Sequence, residues 1–311
     1  MTATVGQAVA ALVAAYPPEL AEAWDTGIGL TCGDPAAALH TVLLAVDVDE
    51  AVVAEAQRIG AELLVTHHPL LFRAVQSVAA DTGKGALVHR LVRSGIAHFA
   101  AHTNADKAVG GVNDALAAVL GLIDTQPLVP DPPGLLPATS DQAGSTGIGR
   151  VGTLAQPLPL AAFTAQVARQ LPATVGGVRA AGDPDRIITV VAVCGGAGDS
   201  ESDAAAAVGA DAYLTSDLRH HVVAEFIARA GAPAVVEVAH WAGEWPWLHR
   251  AAAVLQDAAA AGALTGSVTT TVSVVRTDPW TIAARSTRGR APSPDTQQQI
   301  PTEGPDNSAE G

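Results

Sequence analysis

The sequence predicts an α/β fold of two similar units, whose mostly parallel sheets face each other across a cleft. Apolar segments of strand length alternate with amphipathic segments of helix length along both halves of the chain. Near-continuous apolar strands are typical of parallel sheets that helices cover on both faces. Residues 60–66 and 209–215 also share a pattern: Gly-Ala and an acidic residue lead into a run that ends in Thr. We therefore expect a duplicated unit, although α/β units can also resemble each other by chance.

The first unit is predicted over residues 1–126, and a second over residues 150–285. Between them, residues 127–149 are rich in Pro, Gly, Ser and Asp and are predicted to form a mobile linker. The tail at 286–311 lacks apolar periodicity and is predicted to be disordered.

The elements follow from apolar periodicity and turn residues. In the first unit a helix ends at Pro17-Pro18 and a loop runs from Trp24 to Leu30. The pattern then predicts strands at 39–48, 61–66 and 96–101, and helices at 50–59, 84–93 and 112–120. In the second unit it predicts strands from 151, near 175, and at 187–194, 212–215, 234–238 and 267–276, and helices at 160–170, 203–208, 221–229 and 245–260.

Composition and charge exclude some classes of function. Of the 311 residues, 49% are apolar but only 4% aromatic, so the core is built mainly from Ala, Val and Leu. The formal charge of −14 repels phosphate backbones, and no run of Lys or Arg offsets it, so we expect no nucleic-acid partner.

The termini and cysteines indicate a cytoplasmic protein without a membrane partner. Residues 5–13 are apolar, but the first basic residue is Arg58, so the basic start of a signal peptide is missing and an amphipathic helix explains the segment. No apolar run has the length of a membrane span. Cys32 and Cys194 lie far apart and are expected to be reduced thiols.

Histidines and carboxylates follow the predicted strands. His67 and His68 come directly after Thr66, and Asp106 follows the strand that ends before His102. His240 ends another strand, and its i, i+4 spacing to Glu244 puts both side chains on one helical face. The carboxyl ends of parallel strands are where ligand sites form. A core histidine or a surface ion pair would explain any one of these residues, but explains the set poorly.

The predicted metal ligands are His67, His68, Asp106, His240 and Glu244. Three imidazoles and two carboxylates suit Zn, Mn, Fe or Co better than Mg or Ca. Five ligands exceed the need of one catalytic zinc ion and fit two divalent ions when a carboxylate bridges them.

With these residues the chain resembles the GTP cyclohydrolase 1 type 2 homologues, also called Nif-three-like proteins, over nearly its whole length except the linker and tail. The matching motifs are Trp24-Asp25…Gly29-Leu30, Thr66-His67-His68-Pro69-Leu70, His102-Thr103-Asn104…Asp106, Gly110-Gly111-Val112-Asn113-Asp114, Gly209 to Thr215, and His240…Glu244. The resemblance implies a dinuclear site with Glu244 as bridge, and a toroidal homohexamer. Thr26 and Ala239 depart from the family's usual Asn and Gly.

Other candidates have weaker support. His220 and His221 could bind or protonate a substrate, and Asp217 nearby could be a helix cap. His102 is expected to orient Asp106 rather than to bind metal. The turn at 195–200 could hold a phosphate or could simply cap a helix. Four histidines are expected to be structural: His40, His89, His98 and His249.

The leading hypothesis is a metal-dependent hydrolase whose ions lower the pKa of water, with Glu244 and either His220 or His221 as catalytic residues. The resemblance implies opening of the GTP purine ring at C8, so the expected partner is a nucleotide or a related small molecule. A phosphoesterase acting on small phosphate esters uses the same chemistry. A metal-binding ring with a scaffold or regulatory role is the alternative from another class.

Overall fold

The computed structural model of the protein describes residues 2–284, and the chain up to Thr281 forms one compact unit. The tail predicted to be disordered, 286–311, lies outside the described residues. The expected α/β fold is confirmed, with two main sheets.

The chain alternates strands and helices as predicted. The strands are β1 (Ala3–Thr4), β2 (Gly29–Cys32), β3 (Ala38–Leu39), β4 (Thr41–Ala45), β5 (Leu63–Thr66), β6 (Ala97–Ala100), β7 (Leu122–Pro130), β8 (Gly147–Pro159), β9 (Arg179–Ala181), β10 (Ile187–Ala197), β11 (Ala212–Ser216), β12 (Ala234–Glu237) and β13 (Thr269–Val272). The helices are α1 (Val5–Ala15), α2 (Glu50–Ile59), α3 (Gly83–Arg93), α4 (Thr103–Lys107), α5 (Val112–Val119), α6 (Leu160–Gln170), α7 (Ser202–Ala207), α8 (His220–Ile227), α9 (His240–Glu244) and α10 (Trp247–Ala260).

Local sequence signals fix several helix ends. Thr4 caps α1 by accepting a hydrogen bond from the backbone N–H of Gln7, whose side chain accepts one from the N–H of Thr4 in return. Asp49 caps α2 through the N–H of Val52. The helix ends at Gly60, whose left-handed φ of 67° turns the chain into β5.

The first sheet has the strand order β13-β4-β5-β6-β2, and three of its four strand pairings are parallel. Alternate residues of its strands face opposite sides, as the period of a strand requires. Leu44 and Leu63 pack in the core shared with α1 and α10. Leu43 and Leu64 pack in the core shared with α2 and α3. The sheet is therefore covered on both faces.

The second sheet has the order β7-β8-β10-β11-β12-β9 and is mixed rather than mostly parallel. Only the pairings of β11 with β10 and with β12 are parallel. Antiparallel β7, β8 and β9 extend it at both edges. At one edge, β7 and β8 form a hairpin, which needs no crossover helix and so adds antiparallel strands.

Three sequence predictions need correction here. The proposed linker 127–149 is not a connection throughout, because β7 and β8 reach into it from both ends and pair as a hairpin. Two of the prolines that suggested a loop, Pro127 and Pro130, lie in β7, an edge strand, where proline is tolerated. The strand expected near 175 lies instead at Arg179–Ala181. The loop from Trp24 to Leu30 runs into β2, which was not predicted.

The two sheets do not follow the predicted domain boundaries. β7 begins in the proposed first unit but belongs to the second sheet. β13, from the proposed second unit, pairs in parallel with β4 of the first sheet. The chain thus returns to the first sheet after α10. Among residues 2–284, no helix has the length and apolar character needed to cross a membrane.

Candidate metal centre

The paired histidines follow β5 at the carboxyl end of the first sheet. The hydroxyl of Thr66 donates a hydrogen bond to the carbonyl of His68, 2.7 Å away, which closes a tight turn directly after the strand. Adjacent strand residues would point to opposite faces. In this turn the rings of His67 and His68 instead lie on one side, with their centroids 5.0 Å apart.

Two short helices bring the other predicted ligands to the same place. Asp106 lies on α4, which follows β6. His240 and Glu244 begin and end α9, which follows β12 of the second sheet, and their side chains meet at 2.9 Å as their i, i+4 spacing predicts. The five residues thus come from the strand ends of both sheets, and the structure brings all of them together.

The carboxylate of Glu244 lies at the middle of the cluster. Its Oε1 is 3.4 Å from Nε2 of His67 and 2.9 Å from Nε2 of His240. Its Oε2 is 3.2 Å from Nε2 of His68. On the far side, Nε2 of His67 is 3.7 Å from Oδ1 of Asp106. A carboxylate between two groups of nitrogen and oxygen donors is the arrangement that a bridging ligand needs.

Three donor atoms of this cluster are buried and lack a hydrogen-bond partner among the described residues. They are Nε2 of His67, Oδ1 of Asp106 and Oε2 of Glu244. Buried polar groups are normally paired, so such atoms need an explanation. A cation bound between them would satisfy all three, and the imidazole and carboxylate donors fit Zn, Mn, Fe or Co. The cluster is therefore a possible metal site.

Each ligand histidine is held by its other ring nitrogen. Nδ1 of His67 is 2.9 Å from the carbonyl oxygen of Ala101. Nδ1 of His68 is 2.6 Å from Asp47, and Nδ1 of His240 is 2.6 Å from Asp217. With the proton on Nδ1 in these bonds, Nε2 keeps its lone pair for a metal. Asp47 was not predicted from the sequence as one of these partners.

His102 differs from its predicted role. Its Nδ1 bonds to the buried carboxylate of Asp25, 3.0 Å away, and not to Asp106. Its ring packs beside those of His67 and His68, and the three can place ligand atoms within reach of one ion. The prediction that His102 orients Asp106 was wrong. Asp25 instead orients the imidazole of His102, which lies beside His67 and His68 as a further candidate ligand.

The charges of Glu244 and of the imidazoles around it stabilise one another. Burial opposes the ionisation of Glu244, yet the imidazoles of His68, His240 and His67 hold its pKa well below the usual range. Glu244 in turn raises the pKa of His240 to about 11. Burial alone would lower the pKa of His68, but Glu244 and Asp47 outweigh it and raise that pKa to about 10. Burial, with Glu244 nearby, raises the pKa of Asp106 to about 7.

Gly196 makes room for the carboxylate of Glu244. This glycine has a left-handed φ of 69°, and a Cβ there would lie 2.5 Å from Oε1 of Glu244 and 3.3 Å from Nε2 of His240. The Gly-rich turn that was considered as a phosphate cradle therefore packs against the metal cluster. Next to it, Asn113 accepts a hydrogen bond from the N–H of Gly195 and donates one to the carbonyl of Asp106. This contact ties the second sheet to α4.

His220 and His221 stand apart from the cluster. Both are exposed at the start of α8, with their rings 5.2 Å apart, and neither is among the residues that line the cavity beside the metal site. His220 lines a neighbouring groove, which shares Arg179 and Glu237 with that cavity. Their role as proton donors stays a prediction.

A cavity of about 610 Å³ opens beside the cluster. Three of the candidate ligands, His68, His102 and His240, form part of its wall. The remainder comes from both sheets and from the chain after β13: Asp47, Pro69, Phe72, Gly176, Gly177, Arg179, Asp217, Glu237, Val238, Ala239, Trp241, Thr277, Asp278, Pro279 and Trp280. A cavity of this volume accommodates a small molecule.

Comparison with known proteins agrees with the motifs. A family model described as Duf34/NIF3 (NGG1p interacting factor 3) matches residues 3–279. The chain belongs to this family. The expected resemblance to the Nif-three-like proteins is thereby confirmed, and each predicted ligand lies within the matched range.

Among the family's curated members, a Streptomyces coelicolor protein named GTP cyclohydrolase 1 type 2 homolog is 47% identical over 89% of this chain and 93% of its own length. A Mycobacterium leprae protein of the same name is 35% identical over 92% of this chain and 97% of its own length. A Bacillus cereus protein related to NIF3 has a solved structure that matches with a TM-score of 0.80 at 25% identity, over 91% of this chain and all of that one.

Proposed function

We propose that this member of the DUF34/NIF3 family is a metal-dependent hydrolase with two divalent ions per chain, acting on a nucleotide or a related small molecule. The observation that carries the proposal is the convergence of buried, unpartnered donor atoms on Glu244, next to a cavity large enough for a small molecule. The name of the Streptomyces coelicolor relative, a GTP cyclohydrolase homologue, is consistent with such a substrate.

Two overlapping groups of donors, which share His68, support the proposal of two ions. His67, His68 and His102 can meet at one point, and His68, His240 and Glu244 at another. Glu244 contacts nitrogen donors of both groups, with one oxygen near His67 and His240 and the other near His68. Bound ions at these points would acidify water and polarise the bond under attack.

The chain's own residues supply orientation and access. Ala101, Asp47 and Asp217 hold the imidazoles so that each Nε2 faces the site, which avoids reorganisation when a cation binds. His68 and His240 are part of the cavity wall, so a substrate in the cavity reaches the site directly. This open side favours an enzyme over a ring with only a scaffold role.

The proposal is tested by assaying metal-loaded protein against a panel of nucleotides and phosphate esters. Glu244→Ala removes the central carboxylate, so we expect turnover to fall to background. Glu225→Ala, which removes an exposed carboxylate on α8, is the matched control and should keep wild-type turnover. Unchanged turnover in Glu244→Ala would contradict the hydrolase proposal. Turnover of simple phosphate esters but not of nucleotides would favour the phosphoesterase.

A further inference from the structure

We propose that Thr277 is a positioning residue for the metal site, which acts on His68 through the carboxylate of Asp47 and couples the chain after β13 to metal binding. This inference rests on the proposed function, because it concerns how the same site is held and regulated. It gives a role to residues 277–280, the wall segment, which line the cavity but include none of the candidate ligands.

The three residues follow three neighbouring strands of the first sheet. β13, β4 and β5 are adjacent and parallel, so their carboxyl ends meet at one edge of the sheet. Asp47 comes two residues after β4, and His68 comes two residues after β5. The backbone N–H of His68 donates to the carbonyl of Val46, 2.8 Å away, which keeps the two turns together. Thr277 reaches the same edge from the chain after β13.

The carboxylate of Asp47 is shared between the other two side chains. Its Oδ1 is 2.6 Å from Nδ1 of His68, and its Oδ2 accepts a hydrogen bond from the hydroxyl of Thr277. With one bond alone the carboxylate could still rotate about Cβ–Cγ, because this torsion has a broad energy minimum. The second bond fixes the plane of the carboxylate, and with it the direction in which the imidazole of His68 is held.

Asp47 depends on this second bond because its side chain is only half-buried, so water competes for its oxygens. The hydroxyl of Thr277 occupies Oδ2 in place of water. His67 differs, because it is held by the main-chain carbonyl of Ala101, which has no side-chain torsion to restrain. Of the two adjacent histidines, His68 is therefore the one whose support must itself be supported.

The same hydroxyl also holds the wall segment against the first sheet. Before it, the chain is anchored by the bond from Ser273 to Glu55 and by Val275, which packs in the core shared with α2 and α3. Within residues 2–284, no hydrogen bond links a residue after Thr277 to the rest of the protein. Trp280 is 69% exposed. The position of the wall segment therefore depends strongly on the contact between Thr277 and Asp47.

This arrangement links the cavity wall to the state of the metal site. When a cation binds at Nε2 of His68, the imidazole is restrained from that side, and its Nδ1 then restrains Asp47 and Thr277 in turn. Coupling of this kind is reciprocal, so docking of the wall segment raises metal affinity by the factor by which metal favours docking. The wall of the cavity is thus best formed when the site is loaded.

The test is a double-mutant cycle on the affinity of the full chain for Co²⁺, measured by competition with a chelator of known affinity. Thr277→Val removes the hydroxyl and keeps the branched shape, so we expect affinity to fall roughly 3- to 10-fold. Thr277→Ser keeps the hydroxyl and should restore most of the affinity. In an Asp47→Ala background, Thr277→Val should change affinity less than about twofold, because its contact no longer acts on His68.

Hydrogen exchange of backbone amides in the wall segment gives a second readout. Co²⁺ should slow this exchange in the wild type, and the protection should be lost in Thr277→Val. Thr269→Val, at an exposed position of β13, is the matched control and should keep both the affinity and the protection.

An equal loss of affinity for Thr277→Val in the wild-type and Asp47→Ala backgrounds would overturn the inference, since Thr277 would then not act through Asp47. Wild-type affinity in Thr277→Val, or exchange in the wall segment that does not respond to Co²⁺, would also overturn it. Each of these results leaves the hydrolase proposal intact, because the wild type still binds metal. A wild-type chain that binds no metal would contradict the hydrolase proposal and this inference with it.

Discussion

The strands β5 and β11 lie in different sheets but are built in the same way. Each is preceded by a glycine that ends a helix in the left-handed region, Gly60 with φ 67° and Gly209 with φ 72°. β5 ends at Thr66 and β11 ends one residue after Thr215, and the hydroxyl of each threonine donates to a backbone carbonyl. The repeat in the sequence therefore corresponds to a repeated local structure.

The acidic residues of the two repeats also have the same role. Oε2 of Glu62 accepts the backbone N–H groups of His40 and Thr41 as β4 begins. Oδ2 of Asp211 accepts those of Thr189 and Val190 in β10. Both carboxylates therefore align a neighbouring parallel strand with the one that they precede.

The strands differ in the two residues that follow the threonine. After β5 these are His67 and His68, which enter the metal cluster. After Thr215 they are Ser216 and Asp217, of which Asp217 holds His240 in place. One repeat thus provides two candidate ligands, and the other provides a carboxylate that holds a candidate ligand from the next strand. The same local structure therefore carries different side chains at the two positions after the threonine.

The largest effect is expected when His67 and its counterpart in the second repeat, Ser216, are each replaced by alanine. His67→Ala removes a buried imidazole beside Asp106 and Glu244, so we expect loss of at least one ion per chain. Ser216→Ala alters the matching position of the second repeat and should keep the wild-type metal content. Metal analysis after gel filtration measures both. Equal metal contents in the two variants would contradict the claim that His67, but not Ser216, binds metal.

A second, smaller effect concerns the carboxylates that orient histidines. Asp217→Asn and Asp47→Asn each weaken the hold on one Nδ1–H, of His240 and His68 respectively. We expect each substitution to lower metal affinity by roughly 10- to 100-fold, the usual cost of losing such a partner. Competition with a chelator of known affinity gives the values. Wild-type affinity in both variants would show that these contacts do not organise the site.

The first sheet also buries a histidine that the sequence analysis read as structural. His98 is fully buried between Thr31 and Thr66, and burial lowers its pKa to about 4. Between pH 6.5 and that value the unfolded chain binds a proton that the folded chain does not, so stability falls as the pH falls. From pH 6.5 to pH 5 we expect a loss of about 2 kcal/mol from this group.

Urea unfolding of the metal-free protein at both pH values measures this loss. His98→Gln keeps polar groups between the two threonines but does not titrate, so its stability should fall by about 2 kcal/mol less than that of the wild type. Parallel pH dependence in the two proteins would show that His98 is protonated in the folded state.

A last effect, of similar size, concerns the two carboxylates that the repeats share. Glu62→Ala and Asp211→Ala each remove a carboxylate that accepts two backbone N–H groups, so we expect each to lower the free energy of unfolding by about 1 to 3 kcal/mol. Because the two positions are equivalent, the two losses should be similar, and metal content should be unchanged in both. Chemical denaturation checks the first point. A large loss of stability in only one variant would show that the two carboxylates do not have equivalent structural roles.

The sequence predicted those features that local chemistry decides. α2 and α6 have the predicted bounds, because their periodicity and end signals agree. The ligands His67 and His68 were foreseeable because they follow a buried strand directly. β7 was missed because an edge strand tolerates the prolines that suggested a loop.

What the sequence could not show depends on distant contacts. The bond that fixes His102 comes from Asp25, 77 residues away, so its role as a donor toward the cluster was not readable locally. Gly196 was read as part of a phosphate-binding turn, because its closeness to Glu244 exists only in the folded chain. Asp278 follows the last strand and reaches the cavity only because β13 returns to the first sheet.

The central claim is that the cluster around Glu244 holds two ions. Native mass spectrometry of the metal-loaded chain tests it most directly, because it counts the ions on each intact chain. We predict two ions per wild-type chain and at most one in Glu244→Gln, since an amide is a poor bridge between two cations. One ion or fewer on the wild-type chain, or two on Glu244→Gln, would contradict the account.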